Sequence, residues 1–107
     1  MDTEQLLREL AEGSALEPFR ALIEPLREHD RARRSDLVRT LKTYFSASGN
    51  ASEAADRLFL HRNSMLYRLE RIQKLTGLAL RDDRVALALQ LGLLANERGE
   101  RDAAEHP

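Results

Sequence analysis

The 107-residue chain contains no cysteine, which excludes disulfides and thiolate metal sites and makes a reducing, cytoplasmic setting the expectation. Aromatic residues are only 5% of it, so a core must be built mainly from Leu, Ala, Ile and Val. No apolar run approaches the ~20 residues needed to span a membrane, and no signal-peptide pattern follows Met1. The three histidines, His29, His61 and His106, are scattered without paired metal-ligand spacing, and there is no Gly-rich phosphate loop. Ser64 lies three residues after His61, but no acid or oxyanion-hole motif accompanies the two. Neither an enzyme nor a cofactor or metal site is expected.

What is present is 42% apolar and 33% charged residue content, the balance of one small, folded, helix-rich domain rather than a disordered tail. The net charge of −1 conceals a segregation. Residues 1–30 hold three Lys/Arg against eight Asp/Glu, residues 31–81 eleven against four, and residues 82–107 three against six. A basic middle between acidic ends suggests one face for a polyanion. The plainer reading is that solvated helix faces simply differ in charge.

Taken in order, residues 3–12 read as a short helix with Leu6, Leu7 and Leu10 on one side, ended by Gly13. Ser14 to Glu17 has the form of a capping box opening a second helix, whose stripe is Leu16, Phe19, Leu22, Ile23 and Leu26. Pro25 predicts an end or kink near Glu24. Asp30 to Ser35 is a polar, basic connector. Ser35 is the expected N-cap of a third helix carrying Leu37, Val38, Leu41, Tyr44 and Phe45 on one face, and Gly49 its C′ stop. Beyond Gly77, Asp82 is the expected N-cap of a last helix to about Asn96. The alternation of Val85, Leu87, Leu89, Leu91 and Leu93 is a strand signal, but a lone strand would have no partner, so a helix is expected. A helix apolar on all sides needs cover from the domain and from a second subunit.

The organising stretch is Asn50 to Gly77. Asn50 is a strong N-cap with Glu53 three residues on, opening a short helix whose inner stripe is Ala51, Ala54, Ala55 and Leu58. Phe59 and Leu60 occupy a turn expected to lack a left-handed residue and to be plugged by apolar side chains. A longer helix follows from about His61 to Thr76, with Met65, Leu69, Ile72 and Leu75 inward and a basic outer face. Two helices and a tight turn of this kind are the pattern of a helix-turn-helix, whose second helix enters the DNA major groove. Candidate base contacts are His61, Arg62, Asn63, Leu66 and Tyr67. Arg62 suits guanine and Asn63 adenine. Candidate backbone contacts are Asn50, Ser52, Ser64, Arg68, Arg71 and Lys74. Each has a plainer role beside it: His61 as a cap, Tyr67 as packing, Arg68 in an internal ion pair with Glu70 or Asp56.

Gly49-Asn50, then Ala54-Ala55-Asp56-Arg57-Leu58, then His61 through Leu69, then Arg71-Ile72 and Leu75 through Leu78, resemble the C-terminal DNA-binding domain of the PucR/CdaR family of bacterial transcriptional regulators. Leu37 to Leu41 with Tyr44-Phe45 is similar to that family's preceding helix, and Phe19 to Leu26 to its lead-in, so the likeness covers about residues 17–96. The spacing also looks like the DNA-binding end of the nucleoid protein Fis. Ser64 stands where the family often has Thr, and Leu66 where a polar residue is frequent. The resemblance implies operator binding as a homodimer on paired half-sites. Such regulators carry a long sensing region before this domain, for which there is no room here; the chain is either a fragment or a short stand-alone relative.

The expectation is therefore an all-α, Fis-like domain of about five to six helices. Residues 1–34 form a helical lead-in and a candidate for dimerisation, 35–96 the helix-turn-helix domain, and 97–107 a flexible polar tail. Its partners are double-stranded DNA and a second copy, with no membrane and no metal. The rival reading is a helical protein-interaction or dimerisation module that does not bind DNA.

Overall fold

A computed structural model describes residues 2–105 of the protein, with side chains through Glu100. It is all-α, with six helices and no strand among the described residues: α1 (Thr3–Glu12), α2 (Glu17–Arg33), α3 (Leu37–Ser46), α4 (Ala51–Arg57), α5 (Arg62–Thr76) and α6 (Asp83–Glu105). No helix among them is long and apolar enough to cross a membrane. The alternating Leu run lies within α6, opened by Asp82, whose Oδ1 accepts from the N–H groups of Arg84 (2.9 Å) and Val85 (3.3 Å).

Two helices differ in length from expectation. α2 passes through Pro25, where one backbone hydrogen bond is necessarily missing. Its fully buried Ile23 and Leu26 belong to the main core, and α2 lies along α6 in the most extensive helix pairing of the fold. Tertiary burial outweighs the local penalty, as it commonly does for an amphipathic helix. The tail likewise continues as helix to Glu105 instead of fraying at Glu97; His106 and Pro107 lie outside the described residues. No Pro interrupts it, Glu97 pairs with Lys42 of α3 (2.5 Å), and Arg98 Nη1 donates to the Ala11 carbonyl (3.3 Å).

Two caps also differ. Ser14 to Glu17 makes no side-chain cap: Leu16 is the N-cap residue, and Pro18 sits in the first turn, where its missing N–H is not needed. At the α2–α3 corner Ser35 is not the cap of α3. Asp30 caps it from the end of α2, accepting from Leu37 N (2.7 Å) at Oδ1 and Val38 N (3.0 Å) at Oδ2. Ser35 Oγ instead donates to Asp30 Oδ1 (2.6 Å) and accepts from His29 Nδ1 (2.9 Å).

The main core joins Ile23 and Leu26 of α2, Leu37, Leu41 and Tyr44 of α3, Ala54 and Ala55 of α4, Met65, Leu69 and Ile72 of α5, and Leu89 and Leu93 of α6. Leu89 and Leu93 thus face the chain's own interior rather than a second subunit. A smaller cluster of Ala11, Leu16 and Ala95 seats α1. That leaves Leu6, Leu7 and Leu10 of α1 substantially exposed.

α2 and α6 approach closely at Gly92, where an added Cβ would run into the Phe19 carbonyl oxygen and lie 2.9 Å from Ile23 Cγ1. Because the obstacle is backbone, Gly92→Ala should destabilise the fold by about 1–3 kcal/mol, the usual range for overpacking. At Gly99 the obstacle is the Arg20 guanidinium (2.7 Å), which can swing aside. Gly99→Ala should therefore be neutral or gain up to ~1 kcal/mol from helix propensity. Urea unfolding of the two variants checks the contrast; equal effects would show that α2 is not locked against α6 at Gly92.

Candidate nucleic-acid interface

The α4–α5 unit is short helix, turn, long helix, and its geometry begins with caps. Asn50 Oδ1 accepts from Glu53 N (3.0 Å), as expected of an N-cap, but Glu53 does not reach back to complete a capping box. Its carboxylate pairs with Arg57 (2.7 Å), and the Asn50 N–H donates to the Ala47 carbonyl (3.0 Å). Preceding it, Ser48 and Gly49 both have positive φ (55° and 78°). Ser48, not Gly49, is the left-handed C′ residue of α3, because Ser48 N donates to Phe45 O and Gly49 N to Tyr44 O.

The turn of the motif overturns the expectation for it. Phe59 has φ 57°, a left-handed conformation, and the residue is 95% exposed rather than plugging anything. Phe59 N donates to Asp56 O (3.2 Å) and Leu60 N to Ala55 O (2.9 Å), the two bonds of a Schellman motif. Leu60 is the residue that turns inward, half-buried against the main core. Ala54 and Ala55, essentially fully buried, let α4 approach its neighbours closely.

α5 opens at His61, whose Nδ1 accepts from Asn63 N (3.0 Å). His61 is thus a cap, and an accepting Nδ1 leaves the proton of the neutral ring on Nε2. Arg62, Asn63, Ser64, Leu66 and Tyr67 are exposed, while Met65, Leu69 and Ile72 are buried. Gly77, left-handed at φ 72°, ends the helix, donating to Gln73 O (2.8 Å). Gln73 Oε1 in turn accepts from Leu80 N (2.8 Å), fixing the connector to α6.

The backbone-contact candidates separate into two groups. Arg68 is engaged within the protein, half-buried: its Nη1 pairs with Asp36 at the start of α3 and donates to Thr40 Oγ1 (3.3 Å). Thr40 is fully buried and also donates to the Asp36 carbonyl (2.9 Å). An internal pair for Arg68 was foreseeable, but with Glu70 or Asp56; the partner is instead distant in sequence. Lys74 pairs with Glu70 (3.2 Å), both exposed. Arg62 and Arg71 form no ion pair among the described residues, and Asn50, Ser52 and Ser64 are exposed. His29, Arg33, Arg34, Ser35, Asn63, Ser64, Tyr67, Arg68 and Arg71 are drawn together along one cleft. The basic connector faces α5 across this cleft, and Asp36, expected only as a first-turn charge favoured by the helix dipole, pairs with Arg68, while the roles of Asp30, Thr40 and Gln73 were not expected. Their partners are tertiary, and nothing local marks them.

A short helix crossed by a longer one, with the buried stripe of the second turned to the core and its basic side left in solvent, places the protein in the class of helix-turn-helix domains. The two helices are α4 and α5, joined by the Leu58-Phe59-Leu60 turn. The particular family is the PucR C-terminal helix-turn-helix domain, whose family model matches residues 37–95, and the chain belongs to it. Over 92 residues, 86% of the chain, it is 34% identical to the purine catabolism regulatory protein of Bacillus subtilis. It is 32% identical over 69 residues, 64% of the chain, to the proline-responsive transcriptional activator PutR of the same organism. With the carbohydrate diacid regulator of Escherichia coli it shares 44% identity over 59 residues, 53% of the chain. These alignments cover 17%, 17% and 15% of the relatives, so the chain spans under a fifth of their length. No solved structure matches it.

If Arg68 serves chiefly to dock α5 on α3, Arg68→Ala and Asp36→Ala should each lower stability. The pair is partly exposed, with 30% of the Arg68 side chain accessible, so solvent screening limits the coupling to about 1 kcal/mol or less. A double-mutant cycle by thermal unfolding measures it; additive losses would mean the two residues act separately.

Proposed function

We propose that the protein binds double-stranded DNA sequence-specifically, with α5 lying in the major groove, as the DNA-reading part of a bacterial transcriptional regulator. Such a role places it in the cytoplasm, with the chromosome. The observation that carries this reading is the solvent face at the start of α5. Arg62 and Asn63 stand exposed in its first turn, with Leu66 and Tyr67 one turn on. A guanidinium and a carboxamide there suit the acceptor pair of guanine and the donor–acceptor pair of adenine. Leu66 and Tyr67 suit thymine methyls, and His61 Nε2 and Ser64 Oγ can donate to acceptors beside them. Arg71, Lys74, Asn50 and Ser52 would meet phosphates. Arg68, already paired, would serve mainly to orient α5, with its remaining N–H groups reaching a phosphate only secondarily.

Binding of selected and random duplexes, followed by fluorescence anisotropy across a salt series, tests this. Neutralising Arg71 should flatten the slope of log K against log salt by about one unit, with equal loss on both duplexes. Arg62→Ala or Asn63→Ala should instead remove roughly 1–3 kcal/mol of the preference for the selected site. Retention of neither duplex at low salt would sink the reading.

We further propose that the domain acts as a homodimer. The support is the exposed Leu6, Leu7 and Leu10 stripe on α1, an apolar strip its own core leaves uncovered. Leu7→Glu should shift sedimentation velocity from dimer to monomer. A wild-type monomer at high concentration would end the proposal.

A further inference from the structure

The α2–α3 corner carries two exposed arginines, Arg33 and Arg34, neither ion-paired among the described residues, whereas the neighbouring Arg31 pairs with Glu24 (3.7 Å). Both line the cleft of about 860 Å³ whose facing wall is Asn63, Ser64, Tyr67 and Arg71 of α5. Those four positions follow helical spacing, so the cleft runs along one flank of α5. Its one lining carboxylate, Asp36, is already engaged by Arg68, which leaves the cleft dominated by unpaired arginine charge.

A helix seated in the major groove has a sugar–phosphate backbone along each flank. We infer that Arg33 and Arg34 form a phosphate clamp, holding the DNA strand that flanks α5 on the side of the α2–α3 corner, across the cleft from Arg71. The inference rests on the DNA-binding reading proposed above and extends the contact surface beyond the helix-turn-helix itself.

Three features favour side-chain capture there. Two of the first backbone donors of α3, at Leu37 and Val38, are taken by Asp30 and are not open to an anion. The arginine side chains that line the cleft are the charged groups placed to supply the binding. The corner itself is rigidly set: Arg34 is held left-handed at φ 52°, its N–H donating to the Asp30 carbonyl, and Ser35 is pinned between His29 and Asp30. Finally, a cation in the last turn of α2 is favoured by the helix dipole, which accounts for Arg33 alone. It accounts neither for Arg34 beyond the helix end nor for the orientation of both toward α5.

The test uses the double variant Arg33→Ala, Arg34→Gly, since glycine keeps the left-handed backbone while removing the charge. Fluorescence anisotropy of the whole chain on random and selected duplexes should show a log K against log salt slope about two units flatter, with equal affinity loss on both. Arg8→Ala, which removes a charge from α1, should leave the slope unchanged. Ethylation interference gives a readout that misfolding would not mimic: phosphates flanking the groove whose ethylation blocks the wild type should become indifferent in the variant. Thermal melting monitors the fold, and Arg33→Lys, Arg34→Lys should restore the slope. If the wild type binds duplex and the double variant keeps its slope and interference pattern, the clamp is wrong and the DNA reading survives. If Arg8→Ala flattens the slope as much per charge, the effect is general charge and the clamp is likewise wrong. If the wild type retains no duplex, both fall together.

Discussion

The carboxylate of Asp30 is the interaction on which the geometry of the domain turns. One group at the end of α2 accepts from two backbone N–H groups of α3 and from the Ser35 hydroxyl, so it sets how the two helices meet. Charge-assisted bonds of this kind are about twice as strong as neutral ones, and a helix N-terminus is where a negative charge is favoured. Because Asp30 caps α3, Asp36 need not. Its carboxylate is free to pair with Arg68, and that pair, with Thr40 beside it, fixes α5 against α3. The path from the α2 scaffold to α5 therefore runs through two carboxylates.

This division explains why only part of the cationic charge is left for a partner. Lys42, Arg57 and Lys74 lie on or beside the motif and each pairs with a glutamate. Arg68 is committed to Asp36. Among the described residues, the charge of residues 31–81 that enters no ion pair sits at Arg62 and Arg71 on α5, at Arg33 and Arg34 on the corner, at Arg39 on α3 and at Arg81 before α6. A count of basic residues between positions 31 and 81 thus overstates the surface potential, while the positions that remain unpaired say where it is directed.

The helices, their inner stripes and most termini were legible in the sequence because periodicity and caps are local signals. Asn50, Asp82 and Gly77 perform the roles their residue types suggest. What was not legible depended on distant partners. Asp30 reads as one more charge in a basic connector, Thr40 as one more polar residue on a helix, and Gly92 as a weak spot in α6. Each acquires its meaning only when another element arrives. At Pro25 and the polar tail the opposite holds, since local signals for a helix end were overridden by packing along α2 and α6. Of the proposed DNA-facing surface, the exposure of the first turns of α5 could be read from spacing, but the cleft that joins them to Arg33 and Arg34 could not.

Phe59 shows why the turn misled. A Schellman motif needs a left-handed residue at one position, normally glycine, and a non-glycine residue there costs on the order of 1–2 kcal/mol. Nothing in the composition of the Leu58-Phe59-Leu60 run advertises that conformation, and apolar residues invite the assumption that all three turn inward. Yet the hydrogen bonds of Phe59 and Leu60 to Asp56 and Ala55 leave the backbone no other geometry. Leu60 follows the motif into the core, and Phe59, at the left-handed corner, is swung into solvent. The angle between α4 and α5 is therefore held by backbone bonds and by the two buried alanines. The turn's most hydrophobic ring contributes little to it.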